Sequence, residues 1–285
     1  MPAHALTLAE AEHAQAAIVV GTEPTPAEET AAAELALYLR KITGAGFAVM
    51  PEGESPKAKR LLVGPSREAR RILGGDTVDG LGPEEYIIRT VGEDLLLVGG
   101  RPRGSLYAVY SFLEDDLGCR FMTWYGDEHV PRQTDLRVPA LNRRQAPATP
   151  MRDIVCHMNG NSNLQLMQRF LVRNRCQGPD LRFTGDLTAM GDTSHRWAFP
   201  PDGWLVHTLF QWVPPDKHFK AHPEWYSLVN GQRVATRHLC FSNDGLRAEL
   251  TDAILRRVGD ADPGGVYSVS AMDWEGAFCD CPDCR

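Results

Sequence analysis

Apolar residues recur at helical spacing over residues 26–43, where Leu35, Leu39 and Ile42 fall on one face. Pro26 opens this segment and Gly44 and Gly46 close it, so the pattern predicts a helix. Short apolar runs around it read as strands: 6–8, 17–20, 47–50 and 60–63. A short helix is expected from Ser66 to Leu73. The β-rich runs 86–90 and 94–99 flank Gly92-Glu93-Asp94 and predict a hairpin. A second long helix is expected over 104–117, with Leu106, Val109, Tyr110 and Leu113 on one face and Gly118 after it. A short strand follows at 119–122. Residues 130–150 hold four prolines and few apolar runs, so they read as a linker with a domain boundary near 145.

Beyond that boundary the pattern changes. Strands are expected at 153–156, 205–210, 239–241 and 265–270, and helices at 163–177 and 244–258. The second helix carries Leu246, Leu250, Ile254 and Val258 in register, with Ser242 as its expected cap. Strand–helix alternation with long loops after the strands argues a parallel α/β arrangement. A whole (β/α)8 TIM barrel takes about 250 residues, and 135 follow Pro150. The expected fold class is therefore α/β. A small α+β domain (1–145) precedes the first part of an incomplete barrel (146–285), the chain being a fragment. Open sheet edges would favour a homo-oligomer.

A hydrophobic fraction of 43% and a charged fraction of 24% fit a folded chain. The net charge of −7 argues against a nucleic-acid partner, whose phosphates call for a basic surface. No segment approaches the ~18 consecutive apolar residues of a membrane span. The N-terminus lacks a basic region followed by an apolar run, so a chain starting at Met1 is expected in the cytoplasm. No internal repeat is visible, and GxSxG, Walker and HExxH motifs are absent. The glycine-bearing stretch 99–104 lacks dinucleotide spacing and reads as a turn before a helix.

The candidate chemistry lies in the second half. Asp273 and Glu275 are the leading carboxylates, because glycoside hydrolysis generally uses two. Residues two apart sit too close to flank a bond, unless the substrate's acetamido group is the nucleophile and one carboxylate orients it. The other reading is that Asp273 binds a hydroxyl or caps a turn. His207 and His157 follow expected strands and read as sugar contacts or as structural histidines. Asn159, Asn161 and Asn163 are amide donors or turn formers. Five of the six tryptophans lie here, and Trp274 and Trp212 are the stacking candidates, with core packing as the alternative.

Cys119, Cys156, Cys176 and Cys240 stand in apolar contexts as small buried hydrophobes. Cys279, Cys281 and Cys284 are three soft ligands in six residues. They read as a structural zinc site or as reduced thiols in a tight turn. The fourth ligand would be Cys240, His238 or a residue beyond Arg285. No other cofactor is expected.

Two stretches carry a family resemblance. TAAAELALYLRKITG (30–44) and RGSLYAVYSFLEDDLGCR (103–120) resemble the helices of the small non-catalytic domain preceding the barrel in α-glucuronidases and β-hexosaminidases. HFKAHPEWYSL (218–228), LCFSN (239–243) and SVSAMDW (268–274), running into the cysteines, resemble a bacterial family of barrel proteins described as a domain of unknown function, 4838 type. Some of its members are similar to endo-β-N-acetylglucosaminidases, which are retaining enzymes. The resemblance implies glycoside hydrolysis of an N-acetylhexosaminide or uronide linkage in an oligosaccharide or glycan, at Asp273, Glu275, His207 and Trp274. The alternative is a non-catalytic carbohydrate-binding or interaction remnant.

Overall fold

The structure, a computed structural model, describes residues 5–149, 152, 164–176, 188–191, 206–259, 267–273 and 278–285. It forms two compact units, Met1–Ser194 and His195–Arg285. The chain is a mixed α/β protein, as expected.

The first unit begins with strands β1 (Leu6–Glu10), β2 (His13–Ala14) and β3 (Ala17–Val20), then helix α1 (Pro26–Thr43). Strands β4 (Val49–Pro51) and β5 (Arg60–Val63) lead to helices α2 (Arg67–Leu73) and α3 (Gly75–Asp79). The hairpin β6 (Tyr86–Val91) and β7 (Asp94–Gly99) precedes helix α4 (Gly104–Ser111). Strands β8 (Arg120–Phe121), β9 (Glu128–His129), β10 (Leu136–Val138) and β11 (Asn142–Gln145) follow, then helix α5 (Leu164–Arg173).

Six strands form one sheet in the order β11-β6-β7-β5-β3-β4. From β7 to β4 the neighbours run parallel, while β6 and β11 are antiparallel. Alternate side chains of each strand serve opposite faces. Ile18, Val20, Leu61, Val63, Leu95 and Leu97 pack with α1 and α4. Val19, Leu62, Leu96 and Val98 pack with Ala69 of α2 and Val78 of α3. The sheet is thus covered on both sides, as parallel strands require.

Local signals set the element ends. Thr25 caps α1 in a reciprocal box with Glu28, and Gly44 ends it at φ +80°. At the turn 99–104 a Cβ on Gly99 would lie 2.0 Å from the carbonyl carbon of Gly104. That turn is a close packing of the end of β7 on the start of α4. Buried Arg60 at the start of β5 pairs with Asp94 at the start of the adjacent β7, at 2.6 Å.

Three expectations for this region change. The helix expected over 104–117 is α-helical only to Ser111 and π-helical from Phe112 to Asp116. The stretch read as a linker contains β10 and β11. β10 pairs with β1 in a separate small sheet. β11 is an edge strand of mostly exposed polar side chains, held to β6 by its ladder, so it leaves no apolar signature. Helix α5 also packs into this unit: Val172 is fully buried there, and Arg173 meets buried Glu34 of α1 at 2.8 Å.

The second unit holds helices α6 (Leu209–Trp212) and α7 (Pro215–His218), strands β12 (Leu228–Val229) and β13 (Gln232–Arg233), and helix α8 (Asp244–Gly259). Its core is Leu209, Trp212, Val213, Trp225, Tyr226, Leu239, Leu246 and Leu250. Among the described residues of this unit the strands are β12 and β13, which form a hairpin. Where a strand was expected over 205–210, residues 209–212 make a helical turn. A short apolar run does not distinguish the two. Leu239 makes an isolated bridge to Tyr226, and 267–273 carries no ladder. The cap of α8 is Asn243, whose Oδ1 accepts the Leu246 N–H at 3.0 Å, not Ser242. The strand expected at 153–156 lies outside the described residues. No helix among the described residues is long and apolar enough to cross a membrane.

Three glutamates of the first unit have pKa values below the ordinary 4.5. Hydrogen bonds from Arg71 lower Glu68, and one from Arg144 lowers Glu85. For Glu128, burial pushes upward, but hydrogen bonds from Lys41 and Tyr38 outweigh it. The unfolded chain therefore binds protons first as pH falls. The stabilisation from these groups is present above about pH 4.5 and is lost as pH falls through their folded values. Glu128→Gln is expected to lower the urea midpoint at pH 7 and to flatten its decline between about pH 5 and 3. An unchanged pH profile would refute this.

Candidate functional site

Thr208 organises the candidate site. It is fully buried, and it meets the segment 267–273 through both backbone and side chain. Its N–H donates to the Ser270 carbonyl at 3.1 Å. Its hydroxyl donates to the Ser268 carbonyl at 2.8 Å and accepts the Ser270 N–H at 2.9 Å. The Trp212 indole N–H reaches the same Ser268 carbonyl at 2.8 Å. A half-exposed segment without a β ladder thus has backbone groups of Ser268 and Ser270 satisfied by the Thr208 and Trp212 side chains and by the Thr208 backbone.

His207 precedes Thr208 with φ +57°, in the left-handed region that costs a non-glycine residue about 1 kcal/mol. This backbone turn aims the imidazole at the same segment. Nδ1 lies 3.2 Å from the Ala271 carbonyl. A carbonyl only accepts, so Nδ1 is the donor of this contact and Nε2 faces the other way. Nε2 stands 4.0 Å from Oδ2 of Asp273, whose side chain is 89% exposed. The structure therefore brings His207 and Asp273 side by side, with the carboxylate open to solvent.

Trp212 is buried in the core, with its indole N–H held by Ser268. Trp225 is buried as well, with the His222 ring stacked on it at 4.1 Å. His157, Trp274 and Glu275 lie outside the described residues, as do Trp197, Trp204, Asn159, Asn161 and Asn163.

A second constellation follows Asp273 in the chain. Cys279 and Cys281 are buried, Cys284 is exposed, and buried Cys240 joins them. The four Sγ atoms all lie within 4.8 Å of one another. Hydrogen bonding by Ser242 holds the Cys281 thiol low, at about 6, and burial pushes Cys279 up to about 11. His238, the other internal candidate for a fourth ligand, stacks on Phe278 at 4.8 Å.

Sequence reasoning missed Thr208, Ser268, Ser270 and Asn243. Ser268 and Ser270 stand two apart in an apolar run, which is a visible sign of polar groups on one face. Thr208 carried no such sign.

The chain thus joins an α/β unit covered by helices on both faces to a unit presenting an exposed carboxylate beside a histidine. Residues 3–112 match the family described as Glycosyl hydrolase family 67 N-terminus, the kind of N-terminal domain implied by 30–44 and 103–120. Residues 121–285 match the family described as Domain of unknown function (DUF4838), and with more than half its length matched the chain belongs to that family. No curated protein matches the sequence.

Removing the Thr208 hydroxyl takes the partner from the Ser270 N–H and leaves the Ser268 carbonyl with the Trp212 indole alone. Thr208→Val is expected to cost about 1–3 kcal/mol in urea unfolding and to speed amide exchange across 267–273. Parent-like stability and exchange would show that these bonds do not hold the segment.

Proposed function

We propose that the chain is a carbohydrate-active protein of glycoside-hydrolase type, acting on an N-acetylhexosaminide or uronide linkage in an oligosaccharide or glycan. The observation that carries this reading is the Asp273 carboxylate, presented to solvent beside His207 by a segment tied to Thr208. The match of residues 3–112 to a glycosyl hydrolase N-terminal domain supports the substrate class. In this reading 146–285 supplies the first part of a (β/α)8 barrel. Its active-site carboxylate would lie where barrel enzymes keep theirs, after a strand position. Exposed Leu255 and Val258 on α8 support self-association of such a part.

The roles follow from the chemistry of each group. Asp273 orients the substrate's acetamido group, or serves directly as a catalytic carboxylate with Glu275 as its partner. The His207 Nε2 accepts a hydrogen bond from a sugar hydroxyl. Trp274 offers a face for the sugar ring's C–H groups, and His157 is a further contact. Trp212 holds Ser268 and thereby the position of Asp273.

A second reading has its own support. A carboxylate that only accepts hydrogen bonds from sugar hydroxyls needs access to solvent and no proton, and the Asp273 side chain is 89% exposed. That favours a carbohydrate-binding protein without turnover. The two readings separate in one assay. The chain is incubated with chromogenic β-N-acetylglucosaminide and glucuronide substrates, and Asp273→Asn is compared with the parent. Hydrolysis is expected from the parent, with a loss of about 10²–10⁴-fold in the variant. Binding of the sugar without hydrolysis by the parent would end the enzyme reading.

A further inference from the structure

The four thiols of the second unit meet a specific geometric demand. A tetrahedral zinc ion with Zn–S bonds of about 2.3 Å holds its sulfurs about 3.8 Å apart. Here Cys240 Sγ is 3.6 Å from Cys281 and 3.8 Å from Cys284, and all four sulfurs fall within 4.8 Å. None of the four is in a disulfide. Two distant parts of the sequence supply them. Cys240 comes from the loop before α8. Cys279, Cys281 and Cys284 come from a turn closed by the Cys284 N–H on the Cys281 carbonyl at 3.1 Å.

We infer that Cys240, Cys279, Cys281 and Cys284 form a closed tetrathiolate zinc site that fastens the C-terminal turn to the region 228–242. The surroundings of the thiols support this independently of the sulfur spacing. Thiolate ligands need donors around them to spread their charge. The Leu228 N–H points at Cys279 Sγ from 3.3 Å, and the Arg233 guanidinium reaches the same sulfur at 3.6 Å. The Ser242 hydroxyl lies 3.3 Å from both Cys240 and Cys281 and 3.1 Å from Cys284. Four thiolates on one zinc carry a net charge of −2, and Arg233 is a cation in contact with them. Apolar packing does not explain the cluster, because among the described residues its apolar partner is the half-buried Leu228 alone.

The ligand set fixes the role. Four protein ligands leave no open position, so the ion is structural and not catalytic. As zinc binds, the thiols release their protons to solvent. What the ion holds is the chain just past Asp273, since Cys279 follows it by six residues. The Asp280 N–H on the Leu228 carbonyl, at 2.8 Å, is the backbone part of the same anchor. The site stands whether or not the chain hydrolyses sugars.

The test uses the full chain purified under reducing conditions. Elemental analysis is expected to give one zinc per chain. Cys240→Ser, Cys279→Ser, Cys281→Ser and Cys284→Ser should each lose it, while Cys176→Ser should keep it. Because a ligand variant can fail to fold, the parent is also stripped with chelator and titrated with Co²⁺. Intense tetrahedral thiolate–cobalt absorption, reversed by zinc, is the expected result. Chelation should also speed amide exchange over 228–242 and 278–285. A parent chain with neither zinc nor a cobalt spectrum overturns the inference. So does iron in place of zinc, a native mass showing two disulfides, or zinc retained by Cys240→Ser.

Discussion

The side chain of Thr208 carries the interaction on which the candidate site depends. The segment 267–273 is half-exposed, and a backbone carbonyl or N–H turned away from water there costs about as much as a lost hydrogen bond if it has no partner. The segment 267–273 has no ladder to satisfy its own groups. One hydroxyl serves both Ser268 and Ser270, and the Trp212 indole serves Ser268 a second time. Donors with fixed positions impose a fixed path on the segment, and the place of Asp273 beside His207 follows from that path.

The two units solve the same problem by different means. In the first, the backbone is satisfied by ladders, and β3, β5 and β7 are apolar on both faces beneath covering helices. Burial of ionic groups there is tolerated because each has a partner, as with Arg60 and Asp94 or Glu34 and Arg173. In the second unit the described ladder is a two-residue hairpin. Order comes instead from side chain to backbone bonds, from the core around Tyr226, and from the thiols.

That difference explains what the sequence revealed. Strands buried on both faces announce themselves as apolar runs, so residues 17–20 and 60–63 were legible to the residue. The helix at 26–43 was legible because its opening proline, period and terminal glycine agree. Strand β11 was not, because its identity lies in its pairing with β6 and its exposed side chains carry no pattern. In the second unit, the helical turn at 209–212 looks like a strand in an apolar run. It forms because the Thr208 carbonyl accepts the N–H groups of Gln211 and Trp212. His207 and Asp273 were legible as chemistry, but their proximity was not, since it rests on a positive φ and on Thr208. Cys240 was legible as one of three candidates for the fourth ligand, but the place of Ser242 against Cys240, Cys281 and Cys284 was not.

Asp273 stands three residues after Ser270, where the Thr208 bonds end, and six before Cys279, where the thiol cluster begins. Each residue of a free segment carries about 1–2 kcal/mol of conformational entropy that ligand binding would have to overcome. Anchoring a short segment at both ends removes much of that cost before any ligand arrives. An exposed carboxylate can then be preorganised without being buried. Its exposure and its place have different sources: the former is the open side of the segment, the latter the Thr208 bonds that end at Ser270. The same logic accounts for His207. The Ala271 carbonyl and the positive φ hold the ring so that Nε2 stands 4.0 Å from Asp273 Oδ2, near the carboxylate but not bonded to it.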